Sequence, residues 1–399
     1  MITLSHPTGN ANVRQALQAL HEDNLLAEFR TTLGFSKTQL DNMPDFLANK
    51  LRRRAYNLPP ELIQARPLRE SLRLMTSGKV FSIDQVYYDL DQVLAESICD
   101  DQATHDLRGV YCYEDGAEKT FIEAKKKGLL CFYEQPIGYW RAAQKIYKEE
   151  AELQPEWAAT LDGLNDSEEK LARKDSELAK ADMIFAATSF TRKTLDHFPE
   201  TLAPIQVIPY GADPSPNPPN HDTESNKLKV LFVGGLSQRK GLSYLFEAVD
   251  MVQTAVELTI IGRKGNDSCP LLDSALNKHT WHETLPHHKV IQVMRQNDVL
   301  VFPSIFEGFG LVITEAIAQG IPVITTDHTA GPEVIEDGKS GFMVPIRDAK
   351  SIAEKLELLH RDRDRLAEMK EAAWKRSKVL FWGSYRATLC KNIRELMHA

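Results

Sequence analysis

The stretch Pro303-Ser304-Ile305-Phe306-Glu307-Gly308-Phe309-Gly310-Leu311-Val312-Ile313-Thr314-Glu315-Ala316, continued by IAQGIPVI to Ile324, decides how this 399-residue chain is read. The apolar run Val299–Phe302 before it predicts a strand. It enters a turn with two glycines and then a segment with helical periodicity. In an open parallel sheet, ligands bind where strand ends open into such turns. Gly308 and Gly310 let the backbone approach a ligand closely. The first-turn amides at Leu311 and Val312 favour an anion such as a diphosphate. Glu307 precedes the helix and Glu315 lies in its second turn, so the two carboxylates can serve different ends of one ligand, sugar hydroxyls and ribose hydroxyls.

Working outward, short apolar runs recur at Ile2–Leu4, Gly109–Tyr113, Leu129–Tyr133, Met183–Ala187 and Gln206–Pro209, and again at Lys229–Gly234, Glu257–Gly262, Val299–Pro303 and Ile321–Thr325. Helical stretches such as Gly241–Val252 and Ser351–His360 separate them. Strand alternating with helix at this spacing predicts an α/β protein with parallel sheets and crossover helices. Between the two series lies DPSPNPPNHDTESN, with four prolines and no apolar residue, expected as the linker 213–226. The chain therefore reads as two Rossmann-like domains facing across a cleft, 1–212 and 227–380, a division that suits its length. Residues 36–77 are less regular and are read as a helical insertion in the first.

Composition narrows the function. Charged residues make up 26% and apolar residues 42%, the balance of a folded enzyme. A net charge of −8 gives no global attraction to nucleic acid. The densest basic runs, Lys125–Lys127 and Lys50–Arg54, read first as solvated helix faces and second as contacts to an anionic acceptor or a membrane surface. Five scattered cysteines with no C-x-x-C pair read as reduced thiols. No apolar run reaches the roughly 18 residues that span a bilayer, so no transmembrane segment and a cytoplasmic residence are expected.

Taken with its neighbours, PSIFEGFGLVITEAIAQGIPVI resembles the signature of the retaining GT-B glycosyltransferases, specifically glycosyltransferase family 4 (glycosyl transferases group 1). Phe232-Val233-Gly234-Gly235-Leu236-Ser237-Gln238-Arg239-Lys240-Gly241 resembles that family's phosphate-binding strand and loop. Val207–Asp213 is similar to the stretch closing the first domain, and Gly331–Gly341 to the turn after the donor helix. The resemblance implies that Glu307 sits beside the donor sugar and that the backbone of Gly308, Phe309 and Gly310 meets its hydroxyls. It further implies that Leu311 and Val312 amides meet the phosphates, that Glu315 binds the ribose and that Lys240 neutralises the diphosphate. Fixed cations and helix amides stabilise a departing diphosphate without a metal, so neither metal nor cofactor is expected. A last helix, about 381–399, is expected to cross back onto the first domain.

Two departures stand out. The family commonly has Arg where this chain has Gly235, and Arg239 is the candidate to supply that cation. Many members also carry a histidine where this chain reads Phe132-Tyr133-Glu134-Gln135. Base recognition is expected near Arg263 and the segment Leu285–Val290. On the acceptor side the candidates are Gly9 and Asn10 in the loop after the first strand, with Asn10 equally a helix cap, and Glu114 and Glu134 after two later strands. Glu134 is read as a donor-hydroxyl ligand, an acceptor base or a structural residue. Trp140 and Arg141 are weaker candidates beside it.

The expected activity is transfer of a hexosyl group, with retention, from a nucleoside diphosphate sugar to an acceptor hydroxyl. Uridine donors come first and guanosine donors next. Two alternatives share the same cleft: a nucleotide-sugar hydrolase or epimerase, and a non-catalytic nucleotide-sugar-binding protein. No G-x-G-x-x-G with a following acidic residue marks a dinucleotide enzyme.

Overall fold

The computed structural model describes residues 1–76, 78–100, 106–161, 166–219, 226–252, 255–265 and 268–398. Its strands in chain order are β1 (Ile2–Ser5), β2 (Leu26–Thr31), β3 (Phe35–Ser36), β4 (Ala55–Tyr56), β5 (Ile63–Ala65), β6 (Gly109–Tyr113), β7 (Leu130–Gln135), β8 (Met183–Ala186) and β9 (Ile205–Val207) in the first half. In the second come β10 (Leu228–Val233), β11 (Val256–Ile261), β12 (Thr280–His282), β13 (Val299–Phe302), β14 (Val323–Thr325) and β15 (Gly341–Met343).

Two parallel sheets result. The first runs β5-β2-β1-β6-β7-β8-β9 and the second β12-β11-β10-β13-β14-β15, with β3 and β4 a separate pair. The central strands are buried along their whole length, as in β1, β6 and β13. Helices cover both faces, which is why these strands read as continuous apolar runs. The α/β class with two parallel sheets is as expected from the sequence. In each sheet the strand order reverses once, between β1 and β6 and between β10 and β13. Those two switch points place four loops where an open sheet binds ligands.

Three details differ from the sequence reading. Residues 36–77 are more than an insertion, since they supply the edge strand β5, paired with β2. β2, β12 and β15 were not anticipated: β2 carries Glu28 and Arg30, and the other two have only three residues each. The Pro-rich connection is anchored where it is described. Ser215 receives a bond from Arg295 (2.6 Å), its carbonyl one from Trp374 (3.0 Å), and its amide bonds Ala318 (3.0 Å). The rest of the expected linker, 220–225, lies outside the described residues, as does 399 in the expected last helix.

That helix, Trp382–His398, lies on the helix Ala11–Glu22. Arg386 bonds Gln15 and Arg394 pairs with Asp23 at 3.1 Å. Among the described residues no helix is long and apolar enough to cross a membrane.

Candidate active site

The second switch point is built from two turns held backbone to backbone. After β10, Gly234–Ser237 leads into a tight helical turn, Gln238–Lys240, closed by Gly241 at φ +70°. A Cβ on Gly241 would stand 2.1 Å from the Pro303 carbonyl oxygen, so only glycine fits there. The amide of Ile305 donates to the Arg239 carbonyl at 3.0 Å. The turn after β13 is thereby fixed against the turn after β10.

This brings the expected catalytic residues together. Lys240 Nζ contacts Glu307 Oε2, and Arg239 reaches the same oxygen at 3.3 Å and the Phe306 carbonyl at 3.0 Å. Lys240 also lies over the Phe302 ring, 4.8 Å from its centroid. Burial, and secondly the Arg239 charge, push the Lys240 ammonium well below its ordinary pKa, while contact with Glu307 favours keeping the proton. Gly235 is exposed, with open space where a side chain would project. Arg239 approaches Glu307 from four positions later.

Gly310, at φ +81°, starts the helix Leu311–Ala318, leaving Leu311 and Val312 half-buried at its N-terminus. Glu315 faces another partner: its Oε1 lies 2.9 Å from His287 Nε2 at the surface. His287 belongs to the segment expected near the base. Arg263 is exposed, and its carbonyl accepts from the Leu236 amide at 2.8 Å, beside Gly235.

The glycine turn is seated on the other half of the chain. A Cβ on Gly308 would fall 1.9 Å from the Pro136 carbonyl oxygen. The Gly308 carbonyl accepts from Thr188 (3.0 Å) and Thr191 (3.2 Å). The Phe306 ring lies edge-on to Tyr147 and Phe190 and fills the space beside Gly138. These threonines escaped the sequence reading. Thr188 is also the N-cap of the helix Ser189–Thr194, its side chain accepting from the Thr191 amide.

The first switch point holds the acceptor-side candidates, and here the structure corrects several expectations. The space beside Gly9 is filled by the Tyr56 ring, 2.5 Å from where a Cβ would stand, so this glycine makes room for a ring of its own domain. Asn10 occupies the N-cap position but makes no side-chain cap bond and is exposed. His6 accepts the Thr8 amide at 2.9 Å, and burial, then Arg54, lowers its pKa to about 3, so it is neutral. Glu114 is buried beside Gln135 (3.0 Å) and Lys174 (3.4 Å). Burial pushes its carboxyl up.

Glu134 does not present its carboxylate to the cleft. It is 1% exposed, with its oxygens bonded to Tyr111 and, at 2.6 Å, to Tyr210. Tyr210 in turn accepts from Asn12 at 3.1 Å and packs on Phe309, ring centroids 5.0 Å apart. Glu134 thus reaches the glycine turn through Tyr210. Trp140 and Arg141 are likewise absorbed, both bonding Asp175, at 2.7 and 2.6 Å. An indole N–H and a guanidinium next to a carboxylate are satisfied there.

Residues 215–376 match the family model described as glycosyl transferases group 1. A D-inositol 3-phosphate glycosyltransferase of Arthrobacter sp. is 27% identical over 248 residues, 54% of this chain and 59% of that protein. The matches to the first curated relatives span 37% to 61% of those proteins' lengths. Among solved structures, a sucrose-phosphate synthase from Thermosynechococcus elongatus superposes with TM-score 0.71 at 17% identity, covering 100% of this chain and 99% of its own. HepE of Anabaena, solved with UDP, superposes with TM-score 0.65 at 14% identity, covering 99% of both chains. Residues 215–376 are therefore similar to the glycosyl transferases group 1 family, and the chain as a whole has the GT-B fold.

Proposed function

We propose that the chain moves a hexosyl group from a nucleoside diphosphate sugar to an acceptor hydroxyl with retention of anomeric configuration, using a UDP-sugar in preference to a GDP-sugar. The observation that carries this reading is the convergence of Lys240 and Arg239 on Glu307 at the entrance to the helix Leu311–Ala318. Two cations and a helix N-terminus surround a space suited to a pyrophosphate. One carboxylate stands where the sugar would attach.

On donor binding, Lys240 and Arg239 turn from Glu307 to the phosphate oxygens, and Glu307 accepts from sugar hydroxyls instead. Departure of the diphosphate spreads negative charge over oxygens that these cations and the Leu311 and Val312 amides already face. Neutralisation by fixed protein charge makes the reaction metal-independent. Glu307 is engaged with sugar hydroxyls rather than attacking the sugar, and retention follows from front-face displacement, in which the leaving phosphate takes the acceptor proton. Structures of HepE solved with UDP and glucose support a uridine donor on this fold.

Titration calorimetry with UDP and GDP, followed by NMR of the product anomer with the matching donor sugar, tests the reading. Micromolar UDP affinity and an unchanged anomeric configuration are expected. Absence of binding to either diphosphate removes the proposal, and an inverted product removes the mechanism.

A further inference from the structure

One peptide in the turn after β13 has its two sides treated differently. The carbonyl of Gly308 is satisfied twice, by the hydroxyls of Thr188 and Thr191. The N–H on the opposite side of that peptide, from Phe309, meets no acceptor among the described residues, although Phe309 is only 3% exposed. Buried backbone donors are almost always paired. The neighbouring groups have their bonds: the Gly308 amide donates to Glu307 Oε1 at 3.2 Å, and the Phe309 carbonyl accepts from the Ala330 amide at 2.8 Å. An N–H left over two residues from Glu307 is a place for a ligand oxygen, and a sugar hydroxyl can accept there.

The turn's own sequence does not keep that N–H aimed. Residue 308 must be glycine because a Cβ would strike the Pro136 carbonyl, and a glycine lets the peptide after it turn over at little cost. In a trans peptide the C=O and N–H point in opposite directions, so whatever fixes the carbonyl also aims the amide. The fixing groups come from the first half. Thr188 caps the helix Ser189–Thr194 and Thr191 follows three positions later, so both hydroxyls leave one side of that helix. Both threonines are fully buried. A third bond, from the Ser189 amide to Glu333 at 2.7 Å, holds the same helix against the second half.

We propose, on the reading that the donor sugar stands at Glu307, that Thr188 and Thr191 are positioning residues for it: their hydroxyls lock the Gly308–Phe309 peptide so that the Phe309 N–H donates to a sugar hydroxyl. Sugar recognition in the second half is thereby set by side chains of the first. A nucleoside diphosphate without its sugar does not reach this peptide, so the pair acts on the sugar and leaves the nucleotide's own contacts alone.

Calorimetry with UDP, and with whichever of UDP-glucose, UDP-galactose and UDP-N-acetylglucosamine the parent chain binds most tightly, tests the pair. Thr191→Val keeps the side-chain shape and the Thr188 cap while removing one hydroxyl. It should bind the UDP-sugar about tenfold more weakly than the parent and UDP within about a factor of two. Thr191→Ser, which keeps the hydroxyl, should recover most of the difference, and Thr188→Val combined with Thr191→Val should lose more than Thr191→Val alone. Equal losses for UDP and the UDP-sugar would reduce the pair to a contact between the halves and overturn the proposal. Unchanged UDP-sugar affinity in Thr191→Val, or a serine variant as weak as the valine one, would overturn it as well. A parent chain that binds neither UDP nor any of the three UDP-sugars removes the transferase reading itself, and the proposal with it.

Discussion

Glu150, on a helix following the first sheet's β7, bonds Gln238 of the second half at 2.7 Å. Its other oxygen takes Arg347 at 2.7 Å, and Tyr244 adds a third bond at 3.0 Å. Gln238 begins the turn that carries Arg239 and Lys240. The amide of Gln238 also donates to Thr160 Oγ1 (2.8 Å), so the cationic turn is oriented largely by residues from the opposite half.

Replacing Glu150 with Ala should cost about 3 kcal/mol, because it leaves the Arg347 guanidinium without its buried counter-charge. Glu150→Gln should fall between Ala and the parent. Denaturant titration measures this, and an unchanged midpoint in Glu150→Ala would mean the contact contributes nothing.

Lys240→Ala and Glu307→Ala should each reduce turnover by roughly a hundredfold or more, the range for removing one preorganised charge-stabilising group. Their circular dichroism spectra should match the parent chain. Rates within a factor of three of the parent in both would take these residues out of the mechanism.

Glu315→Ala should weaken nucleoside diphosphate binding by about tenfold, the scale of one hydrogen bond to a charged group. His287 currently holds that carboxylate, so His287→Ala should leave affinity unchanged or improve it. Calorimetry with UDP separates the two, and equal losses in both variants would indicate that the pair binds as a unit.

The carboxyl of Glu134 is pushed up to about 7 from an ordinary 4.5 by burial, only partly offset by the hydroxyls of Tyr111 and Tyr210. The folded state therefore binds this proton more tightly than the unfolded state. Its contribution is full below pH 4.5 and is lost as pH rises toward 7, at up to roughly 1.4 kcal/mol per pH unit. Glu134→Gln should remove that slope. Unfolding free energies across this window check it, and parallel curves for parent and variant would argue against the raised value.

The strands that organise both sheets were legible because a parallel strand covered on two faces reads as an unbroken apolar run. β2 was not, since its pattern interleaves Glu28 and Arg30 with buried Leu26 and Phe29. The local frame of the site could be read from Phe306 to Glu315 and from Gly234 to Gly241, where a strand ends in a glycine turn and a helix follows. What could not be read has partners far along the chain. Thr188 and Thr191 meet Gly308 across 120 and 117 positions, and Glu150 meets Arg347 across 197. Glu134 stayed open between ligand, base and structural readings for a related reason. Five of the six β7 residues are buried, so no alternation tells which side chain faces the cleft.

The bond from Glu150 to Arg347 also sets an order of events during synthesis. A ribosome that has made the helix carrying Glu150 has still to add nearly two hundred residues before that carboxylate meets its guanidinium. Until then the nascent helix carries an acid meant for burial and stays wet. The early half can form its own sheet, but the fit between the halves is completed only near the end of translation, when Arg347 arrives and the final helix returns to the first.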